Sequence, residues 1–532
     1  MCGICGQFRF DGEFVSTKSL DDMMSKLARR GPDSNGKWLE GKIGFGHQRL
    51  SVIDLSNLGS QPMEDDLLKL TLVFNGTIYN YKELRALLIS KGYVFFSNSD
   101  TEVIIKAYHF WGEDCVKHLD GMFAFAIWDQ PSQQLFVARD RMGIKPIYFN
   151  ITSKAFTFAS NSQALLTQKL DKSINPVALH QQLSLHGVVP APNTIINGIH
   201  KLKPGTFVTL SINGKLREKT YWYPSAKRLE ENISEQDYIE RTHELLTAAV
   251  MKRMSASDVP IGVLLSGGLD SSLIVALLKE AGHEDIRTFS IGFEDIDDEV
   301  GSEFEYSDQI VSRFNTQHRK YQISNKEVLP RLSEAVLNMS EPMVGQDAVA
   351  FYLLSEQVSK HTKVVLSGQG ADEAFAGYFW YPRMANEQGN EVERFSKHYV
   401  DRSHDEYLQT VSSIYQGENH THNWLNKEFL KPGADSFIDR VFRTDMTRLI
   451  VDDPVKRVDN MTMAWGLEAR VPFMDTDLVE WALSIPPSLK MRDGGKYPLK
   501  QISRGLLPDS VIDRKKGYFP MPALKYIQGD FL

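Results

Sequence analysis

Two clusters of residue types in this chain could do chemistry. The first is Leu264-Leu265-Ser266-Gly267-Gly268-Leu269-Asp270-Ser271-Ser272. An aliphatic run ends at Leu265, and the helical pattern Leu273-Ile274-Val275-Ala276-Leu277-Leu278 follows. That reads as strand, tight turn, helix. At such a junction the unpaired N–H groups of the first helical turn converge on one spot and suit a phosphate. Gly267 and Gly268 let the backbone approach closely, and the Ser266, Ser271 and Ser272 hydroxyls can donate to phosphate oxygens. Asp270 would repel phosphate, so its expected role is to hold Mg²⁺. No lysine stands where a Walker loop needs one. On these grounds alone the segment binds an anion.

The second cluster starts at Met1-Cys2-Gly3-Ile4-Cys5-Gly6. Loss of Met1 would leave the Cys2 thiol within a few ångströms of its own α-amino group. An amine of pKa about 8 can serve as base for a thiol without a histidine. Cys2 alone reads equally as a small buried cysteine, and Cys5 reads as packing.

The elements that must position these groups differ between the two halves of the chain. Val208-Thr209-Leu210-Ser211-Ile212-Asn213-Gly214-Lys215-Leu216 alternates and then turns at Asn-Gly, so a hairpin closes a first domain over 1–216. Residues 217–236 are charged and irregular and read as a linker. From Asp237 onward the pattern is helical (Ile239, Leu245, Leu246, Ala249, Val250). It leads into strands at 261–265, 288–293 and 363–366 separated by helices. That alternation predicts a parallel sheet covered on both faces over 237–532, with ligands beyond the carboxyl ends of its strands.

The bulk numbers fit. A chain of 532 residues supports two or three domains, and 42% apolar with 24% charged residues is ordinary for a globular protein. The net charge of −8 disfavours general nucleic-acid or anionic-membrane binding. Three cysteines (Cys2, Cys5, Cys115) make no disulfide framework, which points to a reducing, cytoplasmic setting. No apolar run reaches transmembrane length, and the N-terminus lacks the regions of a signal peptide.

The Ser266–Ser272 string resembles the SGGxDS loop of the PP-loop ATP pyrophosphatases, which cleave ATP between the α and β phosphates and make acyl-adenylates. Further segments resemble class II glutamine amidotransferases, whose catalytic domain is an N-terminal-nucleophile (Ntn) αββα sandwich. They are Arg30-Gly31-Pro32-Asp33, His47-Gln48-Arg49-Leu50-Ser51-Val52-Ile53-Asp54, Phe74-Asn75-Gly76-Thr77-Ile78-Tyr79-Asn80, Ser99-Asp100-Thr101-Glu102 and Gly121-Met122-Phe123-Ala124-Phe125-Ala126. Arg457-Val458-Asp459-Asn460-Met461-Thr462-Met463, Leu467-Glu468-Ala469-Arg470-Val471-Pro472-Phe473-Met474-Asp475 and Arg514-Lys515-Lys516-Gly517-Tyr518-Phe519 add the signature of the glutamine-hydrolysing asparagine synthetase family. The chain ends at Leu532, where relatives usually continue, so a truncated chain is expected.

The resemblance implies an α/β protein with two sites. In the first, Cys2 attacks the amide of glutamine, and Asn75 and the Gly76 N–H hold the oxyanion. Arg49 takes the substrate carboxylate and Asp100 its ammonium, with Leu50, Ser51, Val52, Ile53 and Thr77 around them. Taken alone, Arg49 is equally a surface ion-pair residue, Asn75-Gly76 a hairpin turn and Asp100 a helix cap. The second site is an adenine-nucleotide α-hydrolase-like PP-loop domain. It implies ATP at Leu264, Ser266, Gly267, Gly268, Asp270, Ser271, Ser272, Ile291, Ser367 and Gly368. Mg²⁺ would be held by Asp270 and Asp372; of Lys496 and Lys500, Lys500 aligns with the lysine that would neutralise pyrophosphate. Asp372 and Glu373 read alternatively as acids at a helix N-terminus. Ammonia would cross an internal tunnel to an acyl-adenylate. A homodimer is the one assembly considered.

Three positions depart from the family. Thr77 replaces a usual Glu, Asn161 ends the string Phe158-Ala159-Ser160-Asn161 where the family has FASE, and Gln369 replaces the Glu of SGEGSDE. Glu341-Pro342-Met343-Val344-Gly345-Gln346-Asp347-Ala348-Val349 also does not read as a typical aspartate site. With Ser367–Pro382, these features look more like bacterial N-acetylglutaminylglutamine amidotransferases, which amidate a dipeptide carboxyl in making an osmoprotectant. Aspartate is the alternative acceptor. A stand-alone glutaminase conflicts with intact Asp270 and Asp372. A non-catalytic homologue conflicts with intact Cys2, Arg49, Asn75 and Asp100.

Overall fold

The computed structural model describes residues 2–229, 232–295, 300–343, 345 and 347–514. Positions 344 and 346 of the 341–349 segment and positions 515–532, with most of the terminal basic motif, lie outside the described residues.

The N-terminal half contains two six-stranded antiparallel sheets. One runs β10-β8-β9-β1-β3-β2: β1 Gly3–Arg9, β2 Ser34–Glu40, β3 Ile43–Arg49, β8 Tyr148–Ile151, β9 Ala155–Ala159 and β10 His200–Lys201. The other runs β12-β11-β7-β6-β5-β4: β4 Met63–Asp65, β5 Leu70–Ile78, β6 Gly121–Asp129, β7 Gln134–Arg139, β11 Thr206–Ser211 and β12 Leu216–Thr220. Strand β6 shows how its sequence builds the layers. Ala124, Ala126 and Trp128 pack with Phe8, Phe45 and Phe158 between the sheets. Phe123, Phe125 and Ile127 point the other way, onto the helix Asp100–Trp111. The helix Thr17–Ser25 covers the outer face of the first sheet through Leu20, Met23 and Met24. Helix, sheet, sheet, helix is the expected αββα sandwich. The hairpin after residue 208 is present, but its second strand takes up Arg217–Thr220, so irregular chain begins later than the expected 217.

The C-terminal half holds a five-stranded, all-parallel sheet, β15-β14-β13-β16-β17: β13 Ile261–Leu264, β14 Arg287–Phe293, β15 Gln317–Ile323, β16 Val364–Leu366 and β17 Glu468–Arg470. The strand order reverses between β13 and β16, and such switch points are where crevices open. The Ser266 loop leaves β13 and the Ser367 loop leaves β16, so both motifs open at that crevice.

Buried charges pin the halves together. Asp459 receives Arg30 (2.9 Å) and Lys145 (3.4 Å), and Lys201 reaches Glu341 (2.9 Å) and Asp452 (2.7 Å). No helix among the described residues is long and apolar enough to cross a membrane.

Candidate active sites

The first site forms where β1, β3, β5 and the helix Asp100–Trp111 meet. Cys2, Arg49, Leu50, Val52, Ile53, Gly76, Thr77 and Asp100 line one cavity of about 30 Å³. Ser51 does not line it; its N–H donates to Asp33 instead (2.7 Å). Asn75 and Gly76 are not a turn. They lie inside β5, in register with Ala124 and Phe123. An added Cβ at Gly76 would sit 2.1 Å from the Met122 carbonyl oxygen, so only glycine fits this close approach.

Asn75 Oδ1 accepts the Cys2 N–H (3.0 Å). Its buried Nδ2 has no partner among the described residues. A carboxamide fixed at one end and open at the other is a preorganised oxyanion donor. Burial pushes the Cys2 thiol up, although the Leu50 N–H and Arg49 oppose it, so the thiol stays protonated until a base removes the proton. His47 is a weak base: burial pushes its imidazole down to about 3. Arg49 is buried, with its guanidinium anchored by the carbonyls of Asp54 and Ser56.

Asp100 is buried and accepts the Ile78 N–H (3.0 Å). Ser99, not Asp100, caps the helix. Burial raises the Asp100 carboxyl to about 7, and the negative charge of Glu468 adds to the shift. That glutamate belongs to β17 of the other half. Its Oε1 accepts from Thr77 Oγ1 (3.1 Å), and it is paired with Arg470. Burial opposes its ionisation, but Arg470 wins and holds the carboxyl down at about 2.

The second site is a cavity of about 300 Å³ at the switch point. Leu264, Ser266, Asp270, Ser271, Ile291, Ser367, Gly368 and Asp372 line it as expected. Gly267 and Gly268 do not line it. Gly267 has φ +76°, and a Cβ there would lie 2.7 Å from the Ser307 nitrogen. Gly268 precedes the helix Leu269–Glu280. Ser272 is fully buried away from the cavity. Ser271 Oγ receives the Ser266 N–H (3.2 Å), which locks the loop onto the first helical turn.

Of the two neighbouring lysines, Lys496 bridges Asp270 (2.7 Å) and Asp372 (2.8 Å). Lys500, the lysine expected to meet pyrophosphate, donates to the Asp493 carbonyl. The Lys496 backbone N–H is held by the Phe375 carbonyl (2.9 Å), at the end of the helix Ala371–Phe375 that carries Asp372. Arg514 pairs with Glu303 (2.8 Å) on the cavity rim.

A further cavity of about 590 Å³ adjoins this one, and Asp347, Glu373, Tyr378, Pro454 and Arg457 line both. Tyr378 and Trp380 stack at 4.2 Å on its wall. Arg457 bridges Asp347 and Asp453. Gln369 faces the nucleotide pocket with a shielded Oε1 that has no partner among the described residues. Sequence reasoning did not single out Asp453, Pro454 or Glu303. They sit on segments with no recognisable motif, and only folding brings them to the site.

Comparisons with known proteins agree with this geometry. The family profile described as Asparagine synthase matches residues 241–531, and that described as Glutamine amidotransferase domain matches residues 1–222. The chain is 32% identical to "Asparagine synthetase [glutamine-hydrolyzing] 1" of Bacillus subtilis, over 100% of this chain and 88% of the relative. It is 33% identical to "Asparagine synthetase [glutamine-hydrolyzing] 3" of the same organism, over 98% and 87%. At 25% identity it also matches "Amidase chry2" of Gibberella zeae, over 98% and 89%.

Proposed function

Because this chain belongs to the glutamine-hydrolysing asparagine synthetase family, we propose how its residues divide the work of an ATP-dependent amidotransferase. The Cys2 α-amine, freed by loss of Met1 and held by Asn75, takes the thiol proton. The sulfur attacks the glutamine amide, and ammonia leaves behind a thioester that water cleaves to glutamate. Arg49 and Asp100 grip the two charged ends of the substrate. In the second site the acceptor carboxylate attacks the α-phosphorus of ATP and pyrophosphate leaves. Ammonia then attacks the acyl carbon and AMP leaves as the amide forms. An internal path for ammonia belongs to this reading, because free ammonia in water at pH 7 is mostly protonated.

The observation that carries the reading is the Asn75 carboxamide, anchored on the Cys2 nitrogen with its Nδ2 free to meet an oxyanion. Asp270 and Asp372 suit Mg²⁺, since they already converge on the ammonium of Lys496. Bound there, Mg²⁺ would neutralise phosphate charge. Lys496 stands at the same point and takes the phosphate role first given to Lys500. With Gln369 unable to act as a base, Asp347 and Glu373 are the carboxylates shared by both cavities. A cytoplasmic location and a homodimer belong to the same reading, and the three unpaired cysteines support the first.

The acceptor is N-acetylglutaminylglutamine on this reading. A cavity of about 590 Å³ beside the nucleotide supports an acceptor bulkier than a free amino acid. Aspartate remains the second reading, favoured by the names of the Bacillus relatives. Pyrophosphate release with MgATP and glutamine decides between them. Release with the dipeptide alone supports the first, release with aspartate alone supports the second, and release with neither removes both acceptors.

A further inference from the structure

The parallel sheet has a second opening, at the amino ends of its strands. Arg287 and Gln317 begin β14 and β15 and are paired, as are Phe289 and Arg319 two residues on. Residues two apart on a strand share a face, so Arg287, Phe289, Gln317 and Arg319 project to the same side. With His318, and with His361 from beyond the helix Asp347–Val358, they line a cavity of about 440 Å³.

The charge in this cavity is unbalanced. Neither guanidinium has an ion pair or a side-chain hydrogen bond among the described residues. The neighbouring acids are engaged elsewhere or weakly: Asp308 pairs with Lys320 (2.6 Å), and Asp285 accepts the Gln317 amide at 3.3 Å. The His318 ring turns to the other face, where its Nδ1 lies 2.9 Å from Thr288 Oγ1. Burial lowers the His361 imidazole, and Arg319, Lys360 and Arg287 lower it further. Two unpaired guanidiniums, an amide and the His361 imidazole therefore surround one space, in a chain of net charge −8.

We propose that this cavity binds a dianionic phosphate group, either free phosphate or a small phosphate ester, at a site separate from the ATP pocket. Two forked guanidiniums on one face match the several acceptor oxygens and two charges of a phosphate better than the single charge of a carboxylate. The buried Phe289 ring is the wall common to this cavity and the nucleotide pocket, so the two sites stand back to back.

The test is calorimetric titration of the full chain at fixed ionic strength in chloride. A non-cleavable α,β-methylene ATP analogue keeps the phosphate loop occupied. Inorganic phosphate and ribose 5-phosphate are the two probes. Saturable binding of either, weakened about tenfold or more in Arg287→Gln/Arg319→Gln, is the expected result. Tighter binding of the ester would assign the ring-lined part of the cavity to its organic portion; equal binding would assign the site to free phosphate. The His361 ring proton should titrate at higher pH with the anion bound, and should not respond in the double variant. Arg319→Gln alone, at an exposed position, is the second variant should the pair fail to fold. No saturable binding of either probe, or unchanged affinity in a folded variant, overturns the proposal.

Discussion

Asp100 must be a carboxylate to hold the ammonium of glutamine, yet burial places its titration at about 7. The sign follows directly. Below that value the group is protonated and neutral, so glutamine binding weakens as pH falls. The KM for glutamine should rise by up to about tenfold per pH unit below the midpoint and level off above it. Asp100→Asn should give a high KM with no such break. Glutaminase kinetics across the range, without ATP, check both. Lys496 makes a second prediction at this scale. Lys496→Met removes the cation between two carboxylates and the donor facing the phosphates. ATP-dependent pyrophosphate release should fall by about 10² or more while glutaminase activity persists. Lys500→Met should be far milder, since Lys500 donates to the Asp493 carbonyl rather than to Asp270 or Asp372. Equal losses in the two variants would return the role to Lys500.

Strand β17 is three residues long, yet it touches both sites. Glu468 at its start meets Thr77, and its partner β16 runs into the Ser367 loop. Glu468→Gln removes a negative charge that raises the Asp100 carboxyl. The break in glutamine KM should therefore move to lower pH, while synthesis driven by added ammonia keeps its rate. A break that stays in place would mean burial alone sets the Asp100 titration. This element also shows what a sequence can and cannot reveal. The Ser266–Ser272 turn was legible because glycines, hydroxyls and flanking apolar runs act locally. Strands β15 and β17 were not. Gln317-His318-Arg319-Lys320-Tyr321-Gln322-Ile323 is a polar edge strand without apolar alternation, and Glu468–Arg470 is too short to show a period. Lys496 and Lys500 differ for a related reason. Lys500 lies inside the short helix Tyr497–Ser503, Lys496 stands just before it at a turn with φ +57°, and Lys496 alone of the two meets Asp270 and Asp372. Asn75-Gly76 looked like a turn by local rule. Pairing with β6, its neighbour in the sheet but distant in the chain, made it a strand.

Across the whole molecule, the domain interface is built on Asp459, which balances Arg30 and Lys145 while almost fully buried. Removing one partner of a buried ion network strands the others without water. Asp459→Ala should therefore cost about 3–5 kcal/mol, read as a lower midpoint in denaturant unfolding. Arg30 also donates to the Cys2 carbonyl (3.3 Å), so glutaminase activity should fall in the same variant, even at temperatures where it stays folded. Retention of full stability would mean that the interface rests on apolar packing.

The glutamine pocket has one more consequence. Its cavity is small, about 30 Å³, and partly open. If glutamine must widen it on entry, the fraction of molecules already wide enough scales the apparent affinity for anything that enters. Cys5 and Cys115 are wholly shielded, whereas Cys2 keeps 7% of its surface exposed. The rate at which a small alkylating reagent marks this protein is then a clock for the opening itself. A ligand in the distant nucleotide cavity that changes that rate would be felt at the thiol before any glutamine is turned over.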